Sequence, residues 1–217
     1  MRKKVIEAIE KNKIIVILRG IREDELIPLA EAMYNGGIRL LEVTFSADNP
    51  ASDEKTAEGI KKLVSHFGDR MLIGAGTVLT ERQAELTKLA GGKFIISPNQ
   101  NTALIKKTRE LGLVSIPGAL TPTEIEAADR AGADFVKLFP ASVLGSDYVK
   151  AVKAPLSHVK LLAVGGINED NMRDYLRAGI CGFGIGSSIT DKALISGRRF
   201  DRITALAEKY VSALRRA

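Results

Sequence analysis

The sequence predicts an α/β protein, a single (β/α)8 barrel with a leading helix, spanning residues 1–217. Three observations predict it. Eight short apolar runs recur along the chain, near-continuous as parallel strands buried on both faces must be. Each run is followed by a polar stretch, several of them with helical spacing of their apolar residues. Glycine marks the end of several of those stretches just before the next run, where a helix terminates in a left-handed residue. Eight such units of about 25 residues use about 200 of the 217 residues, a compact version of the roughly 250-residue TIM barrel.

The elements follow in order. Residues 1–12 read as a helix, because Glu7 and Glu10 fall where a signal peptide would need an apolar stretch. The first run is Lys13–Leu18, and the helix after it covers Glu23 to Asn35 with Leu26, Leu29, Ala30 and Met33 on one face. The second and third runs are Arg39–Thr44 and Met71–Gly76; Thr80-Glu81-Arg82-Gln83 then starts a helix with a capping pattern. Phe94–Ser97 and Val114–Pro117 are the fourth and fifth runs, and Thr121-Pro122-Thr123-Glu124 starts the next helix with proline in its first turn. The last three runs are Phe135–Phe139, Lys160–Val164 and Gly182–Gly186, with a helix start at Asn168-Glu169-Asp170-Asn171 between the final two. Glycines at 36–37, 91–92, 112, 132 and 179 punctuate the joins. An open doubly wound sheet is the alternative architecture. No Pro/Ser-rich linker or shift in composition divides the chain.

Composition excludes several classes. With 45% hydrophobic and 27% charged residues the chain is neither disordered nor fibrous, and with 5% aromatics and no Trp its core is aliphatic. Cys181 is the only cysteine, so no internal disulfide forms, which fits a reducing cytoplasm. No apolar run approaches the ~20 residues of a membrane span. The net charge of +6 comes from scattered cations without a Lys/Arg block, so a nucleic-acid partner is not indicated, while anionic metabolites would be attracted.

Barrel chemistry belongs at the carboxyl ends of the strands. The polar residues there are Arg19, Glu42, Thr44, Thr77, Ser97-Pro98-Asn99, Lys137 and Ser187-Ser188. Lys137 interrupts Phe135-Val136-Lys137-Leu138-Phe139. A lysine buried in such a strand loses its proton or finds a partner, and a neutral amine forms Schiff bases with carbonyls. Snorkelling to solvent, or pairing with a structural carboxylate, is the competing reading, and strand position alone leaves both open. Glu42 interrupts Leu40-Leu41-Glu42-Val43-Thr44 in the same way; it reads as a general acid/base or as half of a buried ion pair with Lys137 or Arg19. Val164-Gly165-Gly166-Ile167-Asn168 and Gly184-Ile185-Gly186-Ser187-Ser188 follow the seventh and eighth runs, where barrels bind phosphate through exposed amides. Gly74-Ala75-Gly76-Thr77 lacks the third glycine of a dinucleotide fingerprint. His66 and His158 lie away from strand ends, Asp134 precedes the sixth run at the opposite end of the barrel, and no ligand set of metal spacing is evident. Neither metal nor organic cofactor is expected.

Taken together, Leu41-Glu42-Val43-Thr44, Gly74-Ala75-Gly76-Thr77-Val78, Ile96-Ser97-Pro98, Ile116-Pro117-Gly118, Val136-Lys137-Leu138-Phe139-Pro140-Ala141, Gly165-Gly166-Ile167 and Gly186-Ser187 resemble a known family over essentially the whole chain. It is the class I aldolases that cleave 2-keto-3-deoxy-6-phosphogluconate (KDPG) and 2-keto-4-hydroxyglutarate (KHG). The resemblance implies Lys137 as the Schiff-base lysine and Glu42 as the general acid/base. It implies Arg19 with Thr77 at the substrate carboxylate, Gly165, Gly166, Gly186 and Ser187 around the phosphate, and Pro98 and Phe139 as walls of the pyruvate pocket. It further implies a cytoplasmic homotrimer serving carbohydrate metabolism of the Entner–Doudoroff type. Some KDPG aldolases carry arginine four residues after the glutamate, where this chain has Ser46; Arg19 takes over that charge. Many have Thr-Gly-Gly where this chain has Val164-Gly165-Gly166. That version, with Ile17-Leu18-Arg19-Gly20-Ile21 and Pro98-Asn99, is similar to sister enzymes acting on 2-keto-3-deoxy-6-phosphogalactonate, the C4 epimer. The expected reaction is therefore KDPG cleavage, with KHG as a possible second substrate and the galactonate epimer as the alternative. A barrel isomerase or synthase and a non-catalytic binder of phosphorylated sugar acids are more distant readings.

Overall fold

The computed structural model describes residues 1–215. Helix α1 (Arg2–Asn12) leads into β1 (Ile14–Leu18), α2 (Glu23–Asn35), β2 (Leu40–Thr44), α3 (Asp53–Phe67), β3 (Leu72–Gly76), α4 (Glu81–Leu89), β4 (Phe94–Ile96), α5 (Thr102–Glu110) and β5 (Val114–Ile116). Then come β6 (Gly118–Ala119), α6 (Pro122–Arg130), β7 (Val136–Leu138), α7 (Ala141–Lys153), β8 (Leu161–Val164), α8 (Met172–Arg177), β9 (Gly182–Ile185), α9 (Lys192–Ser196) and α10 (Phe200–Arg215). The strands form one parallel sheet in the order β5-β4-β3-β2-β1-β9-β8-β7-β6. All eight expected runs are strands.

The ninth segment is a break within one barrel strand. The sequence expectation ends the fifth run at Pro117, but the chain continues as β6. Proline has no N–H for a ladder, so β5 pairs with β4 and β6 pairs with β7, with Gly118 opposite Lys137. The seam is closed by Phe135 N–H donating to Ser115 O at 3.3 Å and Lys137 N–H donating to Pro117 O at 2.8 Å. Counting β5 and β6 as one strand gives the eight-membered barrel, with helices around it. Lys13 differs from the expectation as well: it is the left-handed cap of α1 (φ 61°), its N–H donating to Ile9 O at 2.8 Å, and the strand starts at Ile14.

Alternation of side chains sorts the core into two layers. Outward residues such as Val16, Leu41, Ile73, Ile95, Val136, Ala163 and Phe183 pack beneath the helices. Inward residues Ile15, Leu40, Phe94, Ile96, Val114, Ile116, Phe135 and Leu162 fill the lower barrel together with Val5 and Ile9 of α1. Each fully buried side chain of this size contributes about 1.5–3 kcal/mol. Helix α1 therefore plugs the amino-terminal mouth. Asp134 fastens it: its carboxylate accepts from Arg2 Nε at 3.1 Å, pairs with Arg2 Nη2, and accepts the Ser115 N–H at 3.0 Å.

Two strands are empty on the inside. The inner positions of β3 above Leu72 are Gly74 and Gly76, and those of β9 are Gly182 and Gly184, with Gly186 just beyond. A methyl group at Gly74 would overlap the Phe94 ring, and one at Gly76 would overlap the Glu42 carboxyl. A methyl at Gly184 would lie 2.8 Å from Val164, and one at Gly182 would lie 2.8 Å from Leu162. Side chains from neighbouring strands occupy the space these glycines leave.

The helix starts are mostly as expected. Thr80 with Gln83 and Thr121 with Glu124 form reciprocal capping boxes on α4 and α6. The third start differs. Residues 168–171 form a polar turn and α8 begins at Met172, because the Asn168 and Asn171 side chains bond within the turn and to Gly166 rather than capping the helix.

Candidate active site

The inner positions one layer above the apolar plug are Glu42 on β2 and Lys137 on β7. Both are buried, at 2% and 7% exposure, which excludes solvent-facing side chains at either position. Gly76, beside Thr44 in the β2–β3 register, leaves the room into which the Glu42 carboxyl fits. Its Oε2 is buried without a hydrogen-bond partner among the described residues. Burial pushes its pKa up to about 7, against the pull of Lys137 and Arg19 toward the charged form. At neutral pH this carboxyl is divided between acid and base, as a group that gives and takes one proton needs to be.

Lys137 is shifted the other way. Burial lowers its pKa; the Glu42 charge opposes that, and Arg19 adds to it. Its Nζ lies 4.6 Å from the centroid of the Phe139 ring, so the amine has an apolar wall on one side. Desolvation favours the neutral amine, the nucleophilic form.

A cavity of about 410 Å³ opens at the carboxyl ends of the strands. Nine of the ten residues singled out in the sequence line it: Arg19, Thr77, Pro98, Lys137, Phe139, Gly165, Gly166, Gly186 and Ser187. Glu42 is the tenth and is not among the lining residues. Arg19 Nη2 donates to Thr77 Oγ1 at 3.2 Å. Thr77 holds that position in the left-handed region, with φ 54°, which costs a β-branched residue on the order of 1–3 kcal/mol. The strained turn brings a hydroxyl against the guanidinium, a pairing suited to a carboxylate. A larger cavity of about 560 Å³ lies beyond Arg19 and Thr77, between the loops after β1 and β2 and helix α3, and it contains neither Lys137 nor Glu42. The Lys137 amine lies in the smaller one.

The two glycine loops are the third part. Gly165 and Gly166 have φ of 92° and 72°, so two successive residues turn in a way only glycine does cheaply. Among the described residues the amides of Gly165, Gly166, Ile167, Gly186 and Ser187 donate to no protein acceptor. Four of the five carbonyls, those of Gly165, Gly166, Ile167 and Gly186, accept hydrogen bonds. Gly165 O accepts from Ser142 N at 3.1 Å, and Gly186 O accepts from Ile189 N, Thr190 N and Thr190 Oγ1, each at 3.0 Å. Ser188 Oγ links the loops by donating to Ile167 O at 3.4 Å. Free amides on cavity-lining residues are the kind of donor set that receives an anion.

Val164, Ile167 and Asn168 also line the cavity. In the sequence Val164 stands out only through the galactonate-type resemblance, and Ile167 and Asn168 carry no role; the inward position of Val164 on β8 is the physical signal. The remaining titratable candidates lie elsewhere: His66 pairs with Glu31, His158 faces Asp129 at 3.6 Å, and Cys181 is a half-buried thiol pushed up to about 11 by desolvation.

A family model described as KDPG and KHG aldolase matches residues 5–206. The chain belongs to that family. It is an aldolase, a carbon–carbon lyase. A probable 2-dehydro-3-deoxy-6-phosphogalactonate aldolase of Rhizobium meliloti is 37% identical over 201 residues, covering 92% of each chain. A 2-dehydro-3-deoxy-phosphogluconate aldolase of Treponema pallidum is 34% identical over 209 residues, covering 94% of this chain and 95% of that one. The crystal structure of the KDPG aldolase of Legionella pneumophila, with pyruvate captured as a covalent carbinolamine, superposes with a TM-score of 0.84 at 30% identity and covers 96% and 97% of the two chains. The phosphogalactonate and phosphogluconate named for the R. meliloti and T. pallidum relatives are phosphorylated sugar acids.

Proposed function

We propose that this aldolase cleaves a 2-keto-3-deoxy-6-phospho sugar acid to pyruvate and glyceraldehyde 3-phosphate through a Schiff base on Lys137. The observation that carries the reading is the desolvated Lys137 amine in a cavity that also contains Arg19 and the free loop amides. The amine attacks the C2 ketone, and Glu42 supplies the proton with which the carbinolamine oxygen leaves as water. The iminium then accepts the electron pair of the C3–C4 bond as Glu42 takes the C4 hydroxyl proton. Glyceraldehyde 3-phosphate departs, Glu42 returns the proton to C3 of the enamine, and water releases pyruvate from Lys137. Arg19 and Thr77 hold the carboxylate, Pro98 and Phe139 wall the keto-acid end, and Gly165, Gly166, Gly186 and Ser187 receive the phosphate.

The galactonate epimer is the reading we favour for C4. Support comes from Arg19 as the guanidinium of the cavity with Ser46 in place of arginine, from the apolar Val164 on the cavity wall, and from the R. meliloti relative. The gluconate epimer is the second reading, supported by the T. pallidum relative and the L. pneumophila structure. A cytoplasmic homotrimer is proposed with it; light scattering at three times the chain mass would support the trimer and a monomer would overturn it. The decisive experiment traps the enzyme with borohydride and pyruvate and measures pyruvate release from both epimers and from KHG. A stable adduct on Lys137, absent in Lys137→Ala, is expected. Full activity in Lys137→Ala would sink the mechanism, and preferential cleavage of the gluconate epimer would reverse the C4 assignment.

A further inference from the structure

We propose that Asn171, which lies outside the cavity wall, is the positioning residue of the phosphate cradle and acts by aiming the Ile167 amide. The inference rests on the phosphate reading of the glycine loops given above. In a trans peptide the carbonyl of one residue and the N–H of the next point in opposite directions within one rigid plane. Whatever holds the carbonyl therefore aims the N–H. Asn171 Nδ2 donates to Gly166 O at 2.9 Å, so it fixes the plane whose other end is the Ile167 N–H. That amide belongs to a cavity-lining residue and donates to no protein acceptor among the described residues.

The Asn171 side chain is itself fixed. Its Oδ1 accepts from Asn168 N at 3.0 Å, while Asn168 Oδ1 accepts from Asn171 N at 3.0 Å and from Asp170 N at 3.0 Å. With Oδ1 engaged by an N–H, the amide has one orientation, and its NH₂ must face Gly166 O. A carboxylate of the same shape would keep the bond to Asn168 N and set an oxygen against the Gly166 carbonyl. The residue type is thus determined by the carbonyl it holds. The same arrangement recurs at the other loop, where Thr190 Oγ1 holds Gly186 O and so aims the Ser187 N–H. Among the described residues Asn171 makes no hydrogen bond to Arg19, Thr77, Pro98 or Phe139, which form the keto-acid end.

The test is Asn171→Asp, with Asn171→Ala as the variant that removes the donor without adding charge. Inorganic phosphate is the probe for the cradle, and borohydride trapping of pyruvate on Lys137 is the probe for the keto-acid end. Both variants are expected to raise KM for the phosphorylated substrate and to weaken competitive inhibition by inorganic phosphate by roughly tenfold, the effect of one lost hydrogen bond. The pyruvate-trapping rate should stay within about twofold of wild type, since bonds that are not made to pyruvate do not alter its barrier. Unchanged phosphate inhibition in a variant that melts as wild type overturns the proposal. So does a trapping rate that falls in step with phosphate affinity, because that is the mark of a general structural role. Wild type that traps pyruvate but shows no phosphate inhibition takes down the phosphate reading and this proposal with it, and wild type that fails to trap takes down the Schiff-base mechanism.

Discussion

Glu42 sits in a space that suits its protonated form, and pH exposes the consequence. Its pKa is raised to about 7 from an ordinary 4.5. Between those values the folded protein binds a proton that the unfolded chain has released, so stability falls as pH rises through that window and levels off above it. Glu42→Gln removes this dependence. The variant should gain stability over wild type progressively from pH 4.5 to 7, by up to about 3 kcal/mol, and no further above; denaturant melts at four pH values would measure it. Turnover should fall by on the order of 10²-fold or more. Glu42 also holds the Lys137 pKa up, so its neutralisation should move the pH profile of pyruvate trapping to lower pH. An unmoved profile would separate the two groups electrically. Both residues are legible in the sequence because each breaks an apolar run. The partner that makes room for Glu42 is not, because Gly76 is on another strand and only the register puts it there.

Between β3 and β9 the same residue type does two different jobs. Gly76→Ala drives a methyl group into the Glu42 carboxyl. We expect a loss of about 1–3 kcal/mol in stability, with turnover reduced as in Glu42→Gln. Gly186→Ala meets only Ile17, at 3.9 Å. It should melt within ~2 °C of wild type yet weaken inhibition by inorganic phosphate by roughly tenfold; calorimetry and inhibition kinetics would show both, and equal destabilisation of the two variants would refute the distinction. Element boundaries were the less legible part of the sequence. β6 is invisible in the sequence because Gly118 and Ala119 are too few and too small to form an apolar run, and proline normally ends one. Residues 168–171 carry a helix-start pattern because Asn is a good cap, and nothing in a linear pattern reveals that Asn171 reaches back to Gly166.

For the molecule as a whole, chemistry and stability are placed at opposite mouths of the barrel. Asp134 ties α1 to β5 at the closed mouth. Asp134→Ala leaves the Ser115 N–H without its acceptor and should cost about 1–3 kcal/mol, with turnover at 25 °C unchanged within about twofold; a large loss of turnover in the folded variant would show that the two ends are coupled. The architecture was legible because eight buried parallel strands leave a repeated apolar signature that length alone limits to few arrangements. C4 preference was not, since it depends on how close single side chains come to one carbon.

The bare inner column of β9 bears on how such an enzyme changes over generations. Every single-nucleotide change of a glycine codon that alters the residue adds atoms. At Gly182, Gly184 and Gly186 mutation can therefore only subtract volume from the barrel, and two of the three have no space to give. Drift along this strand is one-directional, toward smaller substrates or toward loss of the fold. A descendant that accepts a bulkier sugar acid has to find its room elsewhere, and the loops around the adjoining 560 Å³ cavity are where the chain has it to spare.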